Sequence, residues 1–196
     1  MKKNEFYRLL SNIEKKEKNY LRLEQYETDI DTAYNVLNTI DKIIDIKDKT
    51  VADLGCGNGI LGISFYIFGA RNVDMYDIDK ESIEVTNVNI RNLGIKNSIA
   101  IQKDIFDINK KYDIIISNPP FGFQSNFSIE AFVKKALIIG KNIFFIYKDN
   151  MKIRKFASDN NLSIIELGSI KLKKTQKFHK KDSYTLPIIL IYKINL

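Results

Sequence analysis

Apolar residues recur along this chain in two rhythms. Near the N-terminus they return every three or four positions: Phe6, Leu9, Leu10 and Ile13, then Ala33, Val36, Leu37, Ile40 and Ile44. That spacing sets each group on one face of a helix. Glu14 to Lys18 are all charged and read as a solvated stretch, and Leu23-Glu24-Gln25-Tyr26-Glu27-Thr28 is polar without clear periodicity.

From residue 50 short apolar runs alternate with helical patterns. Strands are predicted at Val51–Leu54, Val73–Tyr76, Ser98–Gln102, Tyr112–Ser117 and Ile143–Tyr147. Helices are predicted over Ile60–Phe68, Glu81–Leu93, Ile129–Ile139 and Asn150–Asn160, with Gly69, Gly94 and Gly140 closing the first three. Two late runs, Leu162–Ile170 and Tyr184–Ile194, have no helix between them. The alternation predicts an α/β fold of βαβ units on a mostly parallel sheet. The final pair predicts an antiparallel C-terminal hairpin, making seven strands. The chain reads as one domain, 1–196, with an N-terminal helical extension (1–48) on an α/β core (49–196).

The link from the first strand to its helix is Asp53-Leu54-Gly55-Cys56-Gly57-Asn58-Gly59-Ile60. Gly55, Gly57 and Gly59 permit a tight turn and close approach of a ligand to the backbone. Asp77, about 20 residues on, is placed where a carboxylate accepts ribose hydroxyls. Asp104, after the third strand, is placed to meet an adenine amino group. Together these strand ends describe a nucleoside pocket. A dinucleotide-dependent dehydrogenase shares the loop and Asp77, but the next motif argues against it.

The fourth strand ends in Asn118-Pro119-Pro120-Phe121. Two prolines fix two φ angles and remove two backbone donors. The Pro119 carbonyl and the Asn118 side-chain oxygen then offer two acceptors, and Phe121 a flat stacking face. An exocyclic amine conjugated to a ring is a poor nucleophile, because its lone pair is delocalised. Two acceptors on its hydrogens favour a pyramidal nitrogen and stabilise the charge that grows as it attacks an activated methyl group.

Charge adds a partner. The 196 residues carry a formal net charge of +7, and a basic surface attracts phosphate backbones. Lys171, Lys173, Lys174, Lys177, Lys180 and Lys181 crowd the link between the last two strands, with Phe178 and His179 interleaved. Cations beside a stackable ring at a hairpin tip read as an RNA contact. The one cysteine, Cys56, excludes an internal disulfide and a cysteine-based zinc site. No metal site is expected. The chain opens on a charged stretch and holds no run of ~18 apolar residues, so a cytoplasmic protein with no membrane partner is expected.

With these motifs in place the chain resembles Rossmann-like class I methyltransferases carrying an Asn-Pro-Pro-aromatic motif. More narrowly, it is similar to the archaeal and eukaryotic enzymes that methylate adenine N6 in small-subunit ribosomal RNA. Four segments carry the resemblance: 23–28, 52–57, 118–122 and 177–181. It implies S-adenosyl-L-methionine as cofactor. Gln25 and Thr28 would close over it, and Asp53, Gly55, Gly57, Asn58 and Ile60 would lie on its methionine side. Asp77 would meet the ribose, and Asp104 and Ile105 the adenine. Asn118, Pro119, Pro120 and Phe121 would be catalytic, and Lys177, Phe178, His179, Lys180 and Lys181 would bind RNA. A small zinc-binding activator protein docked along the third strand's edge is implied as partner. The chain departs from the family pattern at Glu27, where relatives usually carry Pro, and at Ile129, where they often carry an acid.

Other readings remain open from sequence. Protein glutamine N5-methylation uses a similar planar amide and a similar Asn-Pro-Pro loop, usually with a larger N-terminal domain. DNA adenine methylation generally needs an added recognition region. A non-catalytic RNA-binding assembly factor would show degraded motifs, whereas both motifs here are intact.

Overall fold

The computed structural model describes residues 1–14, 28–119, 128–173 and 183–195. Seven strands form one sheet in the order β3-β2-β1-β4-β5-β7-β6. They are β1 (Thr50–Leu54), β2 (Asn72–Asp77), β3 (Ser98–Gln102), β4 (Tyr112–Ser117), β5 (Gly140–Lys148), β6 (Ser163–Lys173) and β7 (Ser183–Lys193). β1 to β5 run parallel, while β7 pairs antiparallel with both β5 and β6. The strand order reverses at β1, which lies between β2 and β4. Ligands of open α/β sheets settle at the carboxyl ends of the strands on either side of such a reversal.

The helices are α1 (Lys3–Leu10), α2 (Ile30–Ile43), α3 (Ile60–Ile67), α4 (Lys80–Asn92), α5 (Ile129–Ile139) and α6 (Met151–Asp159). Two apolar cores result, one on each face of the sheet. One joins α1, α2, α3 and α4 through Phe6, Leu10, Leu37, Ile40, Ile63 and Ile83. The other joins α5 and α6 through Phe132, Val133, Ala136, Ile153 and Ala157. Parallel strands covered on both faces must be apolar on both, and Ile114, Ile115 and Ile116 of β4 are fully buried.

Some expectations needed correction. Leu9, placed with Phe6 and Leu10 on one face, is 38% exposed. α1 stops at Leu10, and Ile13 is buried beyond the helix end. Gly140 does not end α5 in a left-handed turn. It is extended, with φ −120°, and begins β5. A Cβ there would collide with Ile115 on the next strand, so close strand packing explains the glycine.

Two further features mark the sheet. Tyr76 on β2 and Tyr112 on β4 meet hydroxyl to hydroxyl at 2.6 Å, and Tyr112 donates to Asp74 Oδ2 at 2.6 Å. Lys110 completes the group with a 2.6 Å bond to the same oxygen. Burial first, then the Asp74 carboxylate, push the Tyr112 phenol upward from its ordinary value. The second feature is the β6–β7 hairpin. β5 ends where Lys148 faces Ile188, yet pairing continues from Ser169↔Pro187 to Lys173↔Ser183. Those five pairs carry an arm about 17 Å past the carboxyl edge of the sheet. A bulge between Glu166 and Gly168, with Gly168 at φ 93°, sets the bend at its base.

Candidate active site

The glycine loop is held mainly by backbone. Gly55 and Cys56 amides both donate to the Tyr76 carbonyl, at 2.8 and 2.9 Å, and Gly59 donates to the Cys56 carbonyl at 2.8 Å. Gly55, Gly57 and Gly59 sit at φ 73°, 58° and 83°, where a Cβ is strained. At Gly59 a Cβ would also lie 2.7 Å from Thr86 Cγ2. At Gly62, in the first turn of α3, it would strike the Met75 side chain and Asp53.

Two carboxylates support the loop. Asp77, at the tip of β2, accepts from Gly57 N and Asp79 N, both at 2.9 Å. Asp53, fully buried at the end of β1, accepts from Gly62 N at 2.8 Å and so satisfies an amide of the α3 N-terminus. Its other oxygen is buried with no partner among the described residues. Burial, and secondarily the negative charge of Asp77, push the Asp53 carboxyl up to about 7 against the Gly62 amide, which pulls it down. Such an orphaned acceptor beneath the loop fits a cationic group on a bound ligand.

The other expected cofactor residues take varied positions. Asn58 is buried, and its Oδ1 receives the Ile60 amide at 3.2 Å. Ile60 opens α3 and is packed in the core. Asp104 is exposed and caps the short 3-10 turn Ile105–Asp107 by accepting from Phe106 N at 2.9 Å. Ile105 is half-buried beside it. Cys56 is buried, with Sγ 3.7 Å from Thr86 Oγ1. Burial raises its thiol well above the ordinary range, which leaves it a small packed residue rather than a nucleophile. Sequence reasoning missed Ile78, which is 63% exposed directly after Asp77. An apolar residue between Asp77 and Asp79 at a strand tip was the available signal for an exposed apolar side chain there.

One strand away, Ser117 at the end of β4 donates to the Leu54 carbonyl at 2.5 Å, tying the β4 tip to the glycine-loop strand. Asn118 follows, half-buried, and Pro119 is buried. Asn118 Nδ2 donates to Thr28 Oγ1 at 3.1 Å. A planar amide carries its oxygen away from its nitrogen, so this bond fixes which way Asn118 presents Oδ1. Thr28, expected over the cofactor, therefore contacts the expected catalytic side chain. Gln25, Pro120, Phe121, Lys177, Phe178, His179, Lys180 and Lys181 lie outside the described residues. Beside Thr28 a cleft of about 400 Å³ opens between the start of α2 (Asp29, Asp31, Thr32, Asn35) and the hairpin base (Leu167, Ser169, Ile170, Ile188).

Among the described residues no cluster of His, Cys, Asp or Glu is arranged to hold a metal, and no helix is long and apolar enough to cross a membrane.

Known proteins resemble this chain in sequence and fold. The methyltransferase small domain matches residues 26–155. The zebrafish (Danio rerio) rRNA N(6)-adenosine-methyltransferase METTL5 is 31% identical over 97% of this chain and 98% of its own length. The Caenorhabditis elegans rRNA N(6)-adenosine-methyltransferase metl-5 is 27% identical over 94% of each chain. A solved Pyrococcus horikoshii structure, described as a candidate RNA methyltransferase, superposes with a TM-score of 0.85 at 26% identity, covering 100% of this chain and 99% of that one. The chain thus belongs to the methyltransferase small-domain family and, by its end-to-end likeness to the zebrafish protein, to the METTL5 group within it.

Proposed function

We propose that the protein transfers a methyl group from S-adenosyl-L-methionine to adenine N6 in RNA, with small-subunit ribosomal RNA as the substrate. The observation that carries this reading is the joining of two strand tips. Ser117 binds β4 to β1 beside the glycine loop, and Thr28 orients Asn118 at that junction. The names of the zebrafish and nematode relatives support the adenosine substrate.

When bound, the cofactor supplies an electrophilic methyl on a sulfonium. The protein's own groups do the rest. Gly55, Gly57, Asn58 and Ile60 would shape its methionine side, and the partnerless Asp53 oxygen would meet its ammonium. Asp77 would take the ribose hydroxyls, and Asp104 and Ile105 the adenine, with Ile78 as an apolar neighbour. Gln25 would help cover the cofactor. Asn118 Oδ1 and the Pro119 carbonyl would accept from the two N6 hydrogens, drawing the nitrogen lone pair out of conjugation. No general base is required before attack. Pro120 would stiffen the loop, and Phe121 would stack on the flipped base.

The projecting arm would bring Lys177, Phe178, His179, Lys180 and Lys181 to RNA that flanks the base. The small zinc-binding activator would add along the free edge of β3, where Ile99 is 52% exposed. An unpaired strand edge with an exposed apolar side chain suits pairing with a second chain.

The test is methyl transfer from labelled cofactor to RNA from cells lacking the enzyme, followed by nucleoside analysis. Label in N6-methyladenosine is expected. Label in another nucleoside, or in none, overturns the reading.

A further inference from the structure

The cofactor loop is also gripped from behind. Thr86 and Asn89 lie one turn apart on the buried face of α4. Thr86 Oγ1 donates to the Gly57 carbonyl at 2.8 Å, and Asn89 Nδ2 donates to the Asn58 carbonyl at 2.9 Å. Two successive loop carbonyls are thereby drawn toward α4. A trans peptide holds its N–H opposite its C=O. Fixing the Gly57 carbonyl on the helix therefore aims the Asn58 amide away from it.

Asn89 has a second attachment. Its Oδ1 accepts from Glu14 N at 2.7 Å, and its Nδ2 donates to the Glu14 carbonyl at 3.1 Å. The side-chain amide thus pairs with a backbone residue 75 positions away while holding the loop. Both of its hydrogens and its oxygen are committed, and the residue is 1% exposed. Asp would lack the donors, Ser would offer one, and Gln is a methylene too long. Glu14 directly follows Ile13 in the N-terminal unit, whose Phe6 and Leu10 are fully buried and whose Ile13 is nearly so.

We propose that Asn89 is a positioning residue through which docking of the N-terminal unit sets the loop's affinity for cofactor. This rests on the reading of the loop as the S-adenosyl-L-methionine site. Losing Asn89 orphans the Glu14 amide and two carbonyls, and it leaves the Asn58–Gly59 peptide held at one end, by the Gly59 amide on the Cys56 carbonyl. Glu14 touches no loop atom directly in the bonds described, so its hydrogen-bonded route to the loop runs through Asn89.

The experiment measures S-adenosyl-L-methionine binding by calorimetry, with steady-state kinetics and thermal midpoints, on the full chain. Asn89→Ala is expected to raise Kd and KM for the cofactor about tenfold, with kcat at saturation within about twofold of wild type. Glu14→Pro removes one donor to Asn89 and leaves the loop sequence intact. It is expected to raise Kd about threefold, and it carries the test should Asn89→Ala fail to fold. In the Asn89→Ala background Glu14→Pro should add nothing, because the connection is already cut. Variants that bind cofactor as wild type does and lose only thermal stability overturn the proposal, as does full additivity of the two changes. A wild-type protein that binds no cofactor overturns the underlying loop reading instead.

Discussion

The β1 tip and the β4 tip lie side by side, yet they are built differently. At β1 the glycine loop is bound by three main-chain amide bonds, by Asp77 and by α4 from behind. Its shape is imposed by positive φ angles at Gly55, Gly57 and Gly59 and, at Gly59, by Thr86, which leaves no room for a Cβ. At β4 the orientation of Asn118 runs through a side-chain bond to Thr28, a residue 90 positions earlier in the chain. A cofactor that never changes suits a site preorganised in backbone. A substrate base that must enter and leave suits a site held by side chains, and there single substitutions should act on rate more than on fold.

The largest effect should come from Asn118→Ala. It removes one of two acceptors on a developing positive charge, which costs 10²-fold or more in kcat, about 3 kcal/mol, by analogy with loss of one oxyanion-hole donor. Cofactor affinity should stay within about twofold. Single-turnover transfer and calorimetry on the same variant check both halves. Turnover within threefold of wild type would remove Asn118 from the chemistry.

Gly62→Ala attacks the other tip. The new methyl would press on Met75 and Asp53 inside the core, so a stability loss of about 1–3 kcal/mol is expected. Denaturant titration would detect it. The opposite signature should appear at β4, where Asn118→Ala should leave the unfolding midpoint nearly unchanged.

How far was this contrast legible in the sequence? The turn on Gly55, Gly57 and Gly59 was, because a backbone-built turn needs particular residue types at fixed local spacing; the bonds by which Asp53 and Asp77 hold it were not. The strand and helix alternation was legible for the same reason, and the sheet has the seven strands and antiparallel hairpin expected. Periodicity could not show that Leu9 lies exposed, since it reports a face and not what covers it. Gly140 looked like a helix stop because a glycine after an apolar helix usually is one, and only the register Tyr112↔Gly140 exposes the Ile115 collision. The Tyr76–Tyr112–Asp74–Lys110 group and the Asn89 clamp join residues 31 to 75 positions apart. No local pattern encodes such pairs.

Asp53 gives a pH-dependent test of the β1 tip. Its folded value of about 7 lies above the ordinary 3.8. The folded state therefore binds this proton more tightly than the unfolded state does. Its contribution is fully present below about pH 4, is lost as pH rises toward 7, and is flat above that. Asp53→Asn removes the titration. Relative to wild type, the variant should be more stable at pH 8 than at pH 5, by about 2–3 kcal/mol. Denaturant titrations at the two pH values measure the difference, and an identical offset at both would mean that Asp53 is ionised throughout.

The smallest expected effect separates two roles for Thr28. If its hydroxyl serves chiefly to hold Asn118, Thr28→Val keeps the branched shape and loses only the acceptor at 3.1 Å. One hydrogen bond of that kind contributes about 1 kcal/mol, so kcat should fall about fivefold while the cofactor KM holds. If Thr28 instead acts as cover for the cofactor, as the family resemblance implies, the same substitution should raise the cofactor KM and spare kcat. Thr28→Ser restores the hydroxyl without the methyl and should recover kcat under the first role only. A rate-only loss with serine rescue would assign Thr28 to the β4 tip, making the substrate side of the site a two-residue device joined across the N-terminal segment.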